Sequence, residues 1–515
     1  MRTLSLCLGL AAAVGFEGRA STGCAEVVVG AGWAGVYFAY RRATSGADPS
    51  SICVFEAAER VGGRTYSVRD VPAPFTLDVG AYRFSPDMHL PGDLIMRHLE
   101  LPTICYEPDC PDAGADLPSQ FFFNYSAPLR RVVDKRGQPS GYVTPLEEMV
   151  RRLRALGASV SLGVELVAIS RGADGTPPAL TFSPADGGAH FSLSPALTFL
   201  NLPRNHLFSL AGIDDALDAR TAAALRCVKF DQPASVFGKN WTHVSSRYKS
   251  ALSKAYLLYE DAWWQTRVNL TEGETPSSAF GPVHTSLGIP IGIRWSDGPV
   301  VCSAPRECTG YLEVYYSVTN ETFFAGVAGL PREPLGVLRA ADGPRAAAAL
   351  REAHAALLEV AGPLLRDARV DPATIAPPSQ LVVGVWSRPY DKAPIGPPDG
   401  YMAPTKVYYS PEISGDLGRA CGVNGLSELE YRTRALQPLG EGVGWRVLMG
   451  NNDWVAMDVR YFFGDWAEES LLQAEWALAT LGVRRPDWLD ARYYADKVVA
   501  PMVARATRPI PSRAA

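Results

Sequence analysis

Glu26-Val-Val-Val29 followed at once by Gly30-Ala31-Gly32-Trp33-Ala34-Gly35 is the stretch on which the fold turns. A short apolar run bounded by glycine reads as a buried strand. Val36 to Ala43 then reads as a helix, and Ser51-Ile-Cys-Val-Phe55 as a second buried strand ending at Glu56. Strand, glycine turn, helix and strand make one complete unit. Gly30 permits the tight turn, Gly32 lets the backbone approach a pyrophosphate, and Gly35 lets the helix pack closely on the strand. The first residues of the helix, Trp33 and Ala34 among them, present N–H groups and the positive end of the helix dipole to phosphates. Glu56 lies 21 residues beyond Gly35, where an acidic side chain accepts hydrogen bonds from an adenosine ribose. The unit therefore reads as a dinucleotide-binding one.

The rest of the chain narrows the possibilities. Its 515 residues carry a net charge of −5, with 20% charged and 47% hydrophobic residues. That composition is globular and excludes bulk disorder. Without a sustained basic block, the chain is a poor partner for nucleic acid or an acidic membrane surface. It has no run of eighteen apolar residues, so stable membrane insertion is not expected. No cysteine or histidine cluster has zinc spacing, and no metal site is expected.

Glu56-Ala57-Ala-Glu-Arg-Val-Gly62-Gly63-Arg64 follows the second strand. Its glycines allow a second close backbone approach, and Arg64 can offset diphosphate charge. With this motif the chain resembles the flavin-containing amine oxidase superfamily, which includes monoamine, polyamine and L-amino-acid oxidases. The resemblance recurs in blocks over most of residues 25–485. It implies an α/β fold in which a Rossmann-type FAD-binding domain is interleaved with an α+β substrate-binding domain. The FAD domain is expected from residues 24–88, 140–235 and 440–485, and the substrate domain from 89–139 and 236–439, with a tail over 486–515.

The resemblance also implies site residues. Gly80, Ala81, Tyr82 and Arg83 look like the segment that passes the flavin ring. Arg83 matches an arginine that binds the substrate carboxylate in amino-acid oxidases, and its planar fork suits that group. Leu166 falls where a strand holds the adenine through its backbone. Lys254 heads a strand whose matching lysine holds a water near flavin N5, as a buried ammonium of lowered pKa. Trp386 resembles a tryptophan in the loop beside the flavin. Ile395 and Gly396 stand where monoamine oxidases carry a flavin-linked cysteine, so the FAD is expected to be non-covalent. Gly450, Asn451, Glu468, Glu469 and Ser470 fall in the C-terminal FAD motif, with Trp466 as one wall of an aromatic cage.

The pattern is broken in places. Asn451 replaces a glutamate, Glu469-Ser470 replace a small pair, and Asp465 replaces a glycine that meets the substrate carboxylate. The expected reaction is oxidation of an amine-bearing carbon, first of all that of an L-amino acid, with molecular oxygen as the second substrate. Amine or polyamine oxidation is the alternative, favoured by Asp465. A secreted FAD-binding protein with little turnover is the second alternative. A homodimer is left open.

Residues 1–20 read as a signal peptide, with Arg2, an apolar stretch from Leu4 to Phe16, and small residues at Gly18 and Ala20. Four of the nine asparagines, Asn124, Asn240, Asn269 and Asn320, head Asn-X-Ser/Thr sequons, more than chance supplies. Eight cysteines remain beyond Cys7, an even number that suits disulfides. Cys105/Cys110 and Cys302/Cys308 are near enough in sequence to pair, whereas Cys53, inside a strand, is expected to be a free thiol. Together these place the chain in the secretory lumen or outside the cell, as a glycoprotein.

Overall fold

The computed structural model describes residues 23–69, 71, 75–105, 129–172, 175–227, 229–230, 252–270, 283–292, 300–317, 323–324, 334–386, 407–409, 415–458 and 467–502. The expected signal peptide, three of the four sequons, Asp465, Trp466, Ile395 and Gly396 lie outside them.

The opening unit folds as its sequence dictates. Strands Glu26–Val29 and Ile52–Phe55 pair in parallel, joined by helix Trp33–Thr44. Arg41 and Arg42 in its last turn suit the negative end of the helix dipole. The sheet extends to six strands in the order Glu441–Gly442, Trp445–Met449, Leu197–Leu200, Glu26–Val29, Ile52–Phe55 and Ser159–Ser161. Only the Glu441–Gly442 edge is antiparallel. Its strands are apolar on both faces because both are covered. Val28, Ile52 and Val54 pack toward helices Trp33–Thr44, Thr144–Leu156 and Ala467–Thr480. Val27, Val29 and Phe55 face a second core built on the antiparallel sheet of Val164–Ser170, Ala179–Pro184 and Phe191–Leu193. Phe38 stacks on Phe199 at 4.2 Å between ring centroids. Arg41 pairs with Glu475, both buried, and ties the first helix to the last long one at 3.0 Å.

A second sheet positions the other half of the site. It is antiparallel, in the order Val301–Ala304, Glu307–Ser317, Leu252–Tyr259, Gln380–Trp386 and Leu335–Arg339. One face packs on helix Pro344–Asp367 through Ala255, Leu257, Leu312 and Val383. The other, with Tyr256, Leu258, Tyr311 and Val382, packs on Phe75, Leu77 and Val79. This mixed α/β architecture is the one expected from the sequence.

Two local expectations are corrected. Ser159 to Ile169 is not one strand. Gly163, at φ +67°, breaks it into Ser159–Ser161 in the six-stranded sheet and Val164–Ser170 in the antiparallel one. Cys53 is not a free thiol but is bonded to Cys24, with 5.6 Å between Cα atoms, a separation a disulfide spans without distortion. Cys24 stands just ahead of the first strand, and the neighbouring strand brings Cys53 beside it. Cys302 and Cys308 are bonded across a hairpin as register partners. Cys227 and Cys421 are bonded over 194 residues of sequence. Cys105 is disulfide-bonded to a partner outside the described residues. Among the described residues no helix is long and apolar enough to cross a membrane.

Candidate functional site

The glycine turn forms a cradle. Gly30 takes φ +94°, and a Cβ there would lie 2.5 Å from the Asn201 carbonyl oxygen. The Asn201 side chain in turn donates to the Gly30 carbonyl at 3.0 Å. Helix Trp33–Thr44 begins at Gly32 with no side-chain cap, which leaves its first N–H groups for a ligand. Gly63 lies against Gly32, where its missing Cβ would be 3.5 Å from the Gly32 Cα. The Gly62 N–H donates to the Ala31 carbonyl and joins the two glycine segments. Trp33 is buried, its indole N–H on the Thr65 hydroxyl, and Ala34 is fully buried. The Glu56 carboxylate accepts from the Ala31 N–H at 2.6 Å and from the Ala58 N–H at 3.0 Å. Ala57 is exposed beside it. A bare backbone cradle, an uncapped helix start and a carboxylate at its mouth fit an adenine dinucleotide, so residues 30–35 and 56–63 could hold the ADP half of FAD. Leu166 is buried in Val164–Ser170. Arg64 is aimed elsewhere: its guanidinium pairs with Asp453 and donates to the Asn452 side chain.

Gly80 to Arg83 run alongside Arg64 and Tyr66, since the Gly80 N–H donates to the Tyr66 carbonyl and the Ala81 N–H to the Arg64 carbonyl. Two cations meet on the Tyr82 ring, with Lys254 Nζ 3.3 Å and Arg83 Cζ 4.7 Å from its centroid. Lys254 is fully buried in strand Leu252–Tyr259 and donates to the Asp78 carbonyl at 3.0 Å. The Tyr256 hydroxyl donates to the same oxygen. Trp386, at the end of Gln380–Trp386, is buried and donates from its indole nitrogen to the Val79 carbonyl at 2.8 Å. Gly384 admits this approach, because a Cβ there would lie 2.5 Å from the Val79 oxygen. Thus Arg83, Lys254, Tyr82 and Trp386, distant in sequence, converge on residues 78–83.

Beside them lies a pocket whose charged lining the sequence reasoning missed. Asp78, Arg131 and Glu313 reach it together with Tyr82, Tyr256 and Tyr311. Burial pushes the Asp78 carboxyl up, while the Ser67 hydroxyl and the Lys254 ammonium pull it down. A charged residue inside the aromatic and apolar run Tyr311-Leu-Glu-Val-Tyr315 was the available signal.

At the C-terminal motif, Gly450 donates from its N–H to the Leu200 carbonyl. Asn451 is buried, donating to the Leu202 carbonyl and accepting from the Asp453 N–H, each at 2.8 Å. Glu469 and Ser470 lie in the first turn of Ala467–Thr480, with Ser470 buried. The Glu468 carboxyl turns to Leu90, accepting its N–H, and to the Tyr493 hydroxyl. Burial raises it to about 8, against the pull of those two donors. A carboxyl raised above its unfolded value, about 4.3, stabilises the fold fully below that value and less as pH climbs through 8. The melting temperature of wild type should therefore fall more from pH 5 to 9 than that of Glu468→Gln; equal slopes in a thermal scan would refute this.

Among the described residues no group of three or more His, Cys, Asp or Glu side chains is placed to hold a metal ion.

Comparison with known proteins agrees with the geometry. Residues 28–90 match the model of an NAD(P)-binding Rossmann-like domain. No curated protein matches the chain. Among solved structures, wild-type putrescine oxidase bound to putrescine is similar at TM-score 0.49 and 14% identity, over 89% of this chain and 99% of that one. A triple mutant of putrescine oxidase from the same redesign of cofactor binding is similar at TM-score 0.50 and 14% identity, with the same coverage. At that identity the likeness is one of fold.

Proposed function

We propose that this chain, which has the fold of the flavin-containing amine oxidases, is an FAD-dependent oxidase of a small amine. The observation that carries the reading is Lys254. A lysine normally leaves its ammonium in water; here it is fully buried, on the Asp78 carbonyl and the Tyr82 face. Together with the glycine cradle, this supports a site where residues 78–83 border the flavin ring.

Bound there without a covalent link, FAD would accept hydride from the amine-bearing carbon and pass its electrons to molecular oxygen. The protein's part is to hold and shield. Trp386, by donating to the Val79 carbonyl, keeps residues 79–83 against the second sheet. Lys254 brings a proton-bearing nitrogen into a site closed to solvent, where it can orient a water or supply a proton during oxygen reduction. The tyrosine faces favour a cationic guest. Asp78 and Glu313 in the adjoining pocket favour an amine over an amino acid, whose carboxylate they would repel. Arg83 keeps the L-amino-acid reading as the second one: it is a buried guanidinium beside the same ring.

Flavin bleaching under nitrogen is the test. Loss of the yellow colour with aliphatic amines is expected. Bleaching by L-amino acids alone would transfer the assignment to Arg83, and no bleaching by either would overturn the oxidase. The disulfides and the exposed Asn269 sequon support delivery of the chain to an oxidising, glycosylating compartment.

A further inference from the structure

Glu313 has no assigned task, and its position is costly. It is 1% exposed, and neither carboxylate oxygen has a hydrogen-bond partner among the described residues. A buried carboxylate without a partner is strongly unfavourable unless a cation or proton joins it. The pocket it reaches also holds the Arg131 guanidinium, yet no hydrogen bond links the two. Asp78 is already engaged, accepting from the Ser67 hydroxyl at 2.5 Å and the Tyr142 N–H at 3.1 Å. Glu313 is therefore the group in this pocket left to answer a donor.

Its direction is set by an irregularity in the sheet. Ala255 pairs with Tyr315 but Tyr256 pairs with Glu313, so Val314 is an extra residue, a β-bulge. Val314 and Tyr315 both enter the core on the helix side. Glu313 is thereby placed on the face that carries Tyr256 and Lys254. Bulges of this kind re-aim side chains beside active sites. Glu313 is diagonal to Lys254 on that face, which puts their Cβ atoms about 7–8 Å apart.

We propose that Glu313 binds a second ammonium group of the substrate, so that the amine this site takes is a short aliphatic diamine; the proposal rests on the amine-oxidase reading. The reacting nitrogen must be uncharged to release hydride from its carbon, and an uncharged amine gains little from a carboxylate. A carboxylate one side-chain row away from Lys254 suits a nitrogen that remains protonated throughout. Tyr256 and Tyr311 flank it with ring faces and edges, at 5.7 Å between centroids, and ring faces attract the same cation.

The test compares α,ω-diaminoalkanes of three to six carbons with the 1-aminoalkanes of equal length, on the FAD-loaded protein and its Glu313→Gln variant. Calorimetry under nitrogen reads Kd, and peroxide release in air reads kcat and KM. In wild type the best diamine should bind, or show a KM, at least about tenfold better than its monoamine, as expected when a buried charge gains its partner. Glu313→Gln should erase that preference through the diamine KM and leave kcat and the monoamine KM nearly unchanged. A preference that survives in the variant, or is absent from wild type, overturns the proposal. If Glu313→Gln does not fold, Glu313→Asp keeps the charge and withdraws it by one methylene. The preferred diamine should then lengthen by one carbon, and an unmoved optimum counts against Glu313. A diamine preference in Kd with no flavin reduction by any amine would sink the oxidase and leave the Glu313 assignment standing. Flavin reduction with no effect of Glu313→Gln would do the reverse.

Discussion

Replacing Lys254 by Met is expected to leave a folded, yellow protein whose oxidase turnover is lower by about 10²–10⁴-fold, the usual worth of a positioned proton donor. The methionine keeps most of the length and apolar contact of the lysine stem. What it removes is an ammonium in a water-free site, on the Asp78 carbonyl and the Tyr82 ring. Burying that charge costs several kcal/mol before its partners repay it, so its replacement by an apolar chain is close to neutral or even stabilising. Activity and stability should separate. The loss should fall on reoxidation of reduced flavin by oxygen, with anaerobic reduction by amine affected less. Stopped-flow measurement of the two half-reactions reads this directly. Wild-type reoxidation in Lys254→Met would remove the residue from the chemistry. An unfolded variant would show that the lysine serves the fold.

Lys254 also marks how far a sequence can be read here. Its strand was legible because alternation over Lys254 to Tyr259 is local, and the structure places Leu252–Tyr259 at the centre of the second sheet. The glycine turn and its flanking strands were legible for the same reason: tight turn, helix start and buried strand each leave their mark within a few residues. Partnerships over long separations left no such mark. Cys53 reads as a buried thiol because Cys24 reaches it only once the neighbouring strand is laid beside Glu26–Val29. The break at Gly163 hides inside an alternating run, since one glycine in a strand pattern says bulge, turn or nothing. Arg64 sits in a motif that points to diphosphate, but Asp453, 389 residues later, claims its guanidinium. The pocket was the least legible part. Asp78 and Glu313 meet across two sheets, and Glu313 faces inward only because a bulge at Val314 shifts the register. The placement of Trp386 was another matter of packing, because its indole braces the Val79 carbonyl.

The glycine cradle gives the other large effect, through a contrast between Gly35 and Gly32. A Cβ at Gly35 would stand 2.0 Å from the Gly30 carbonyl oxygen and 3.2 Å from the Asn201 Cβ. The first of these is backbone in the turn itself, so Gly35→Ala must push the helix off the strand. Overpacking of a core contact costs about 1–3 kcal/mol and occasionally more, and here the displaced backbone is the turn that carries the ligand. Gly35→Ala should therefore lower the melting temperature and lose the flavin together. At Gly32 the nearest atom to a new Cβ is the Asn201 side-chain nitrogen, at 3.1 Å, the end of a side chain that can turn aside. The flavin-free fold should lose less than about 1 kcal/mol, as at sites with no buried contact to break. The methyl would nevertheless occupy the mouth of the uncapped helix, where a pyrophosphate must come close to the backbone. Gly32→Ala should fold normally and purify pale. The ratio of flavin to protein absorbance, read beside the thermal melt of each flavin-free protein, separates the two. Full flavin content in Gly32→Ala would show that the phosphates do not lie on this turn, and the dinucleotide site would have to be sought elsewhere in the six-stranded sheet.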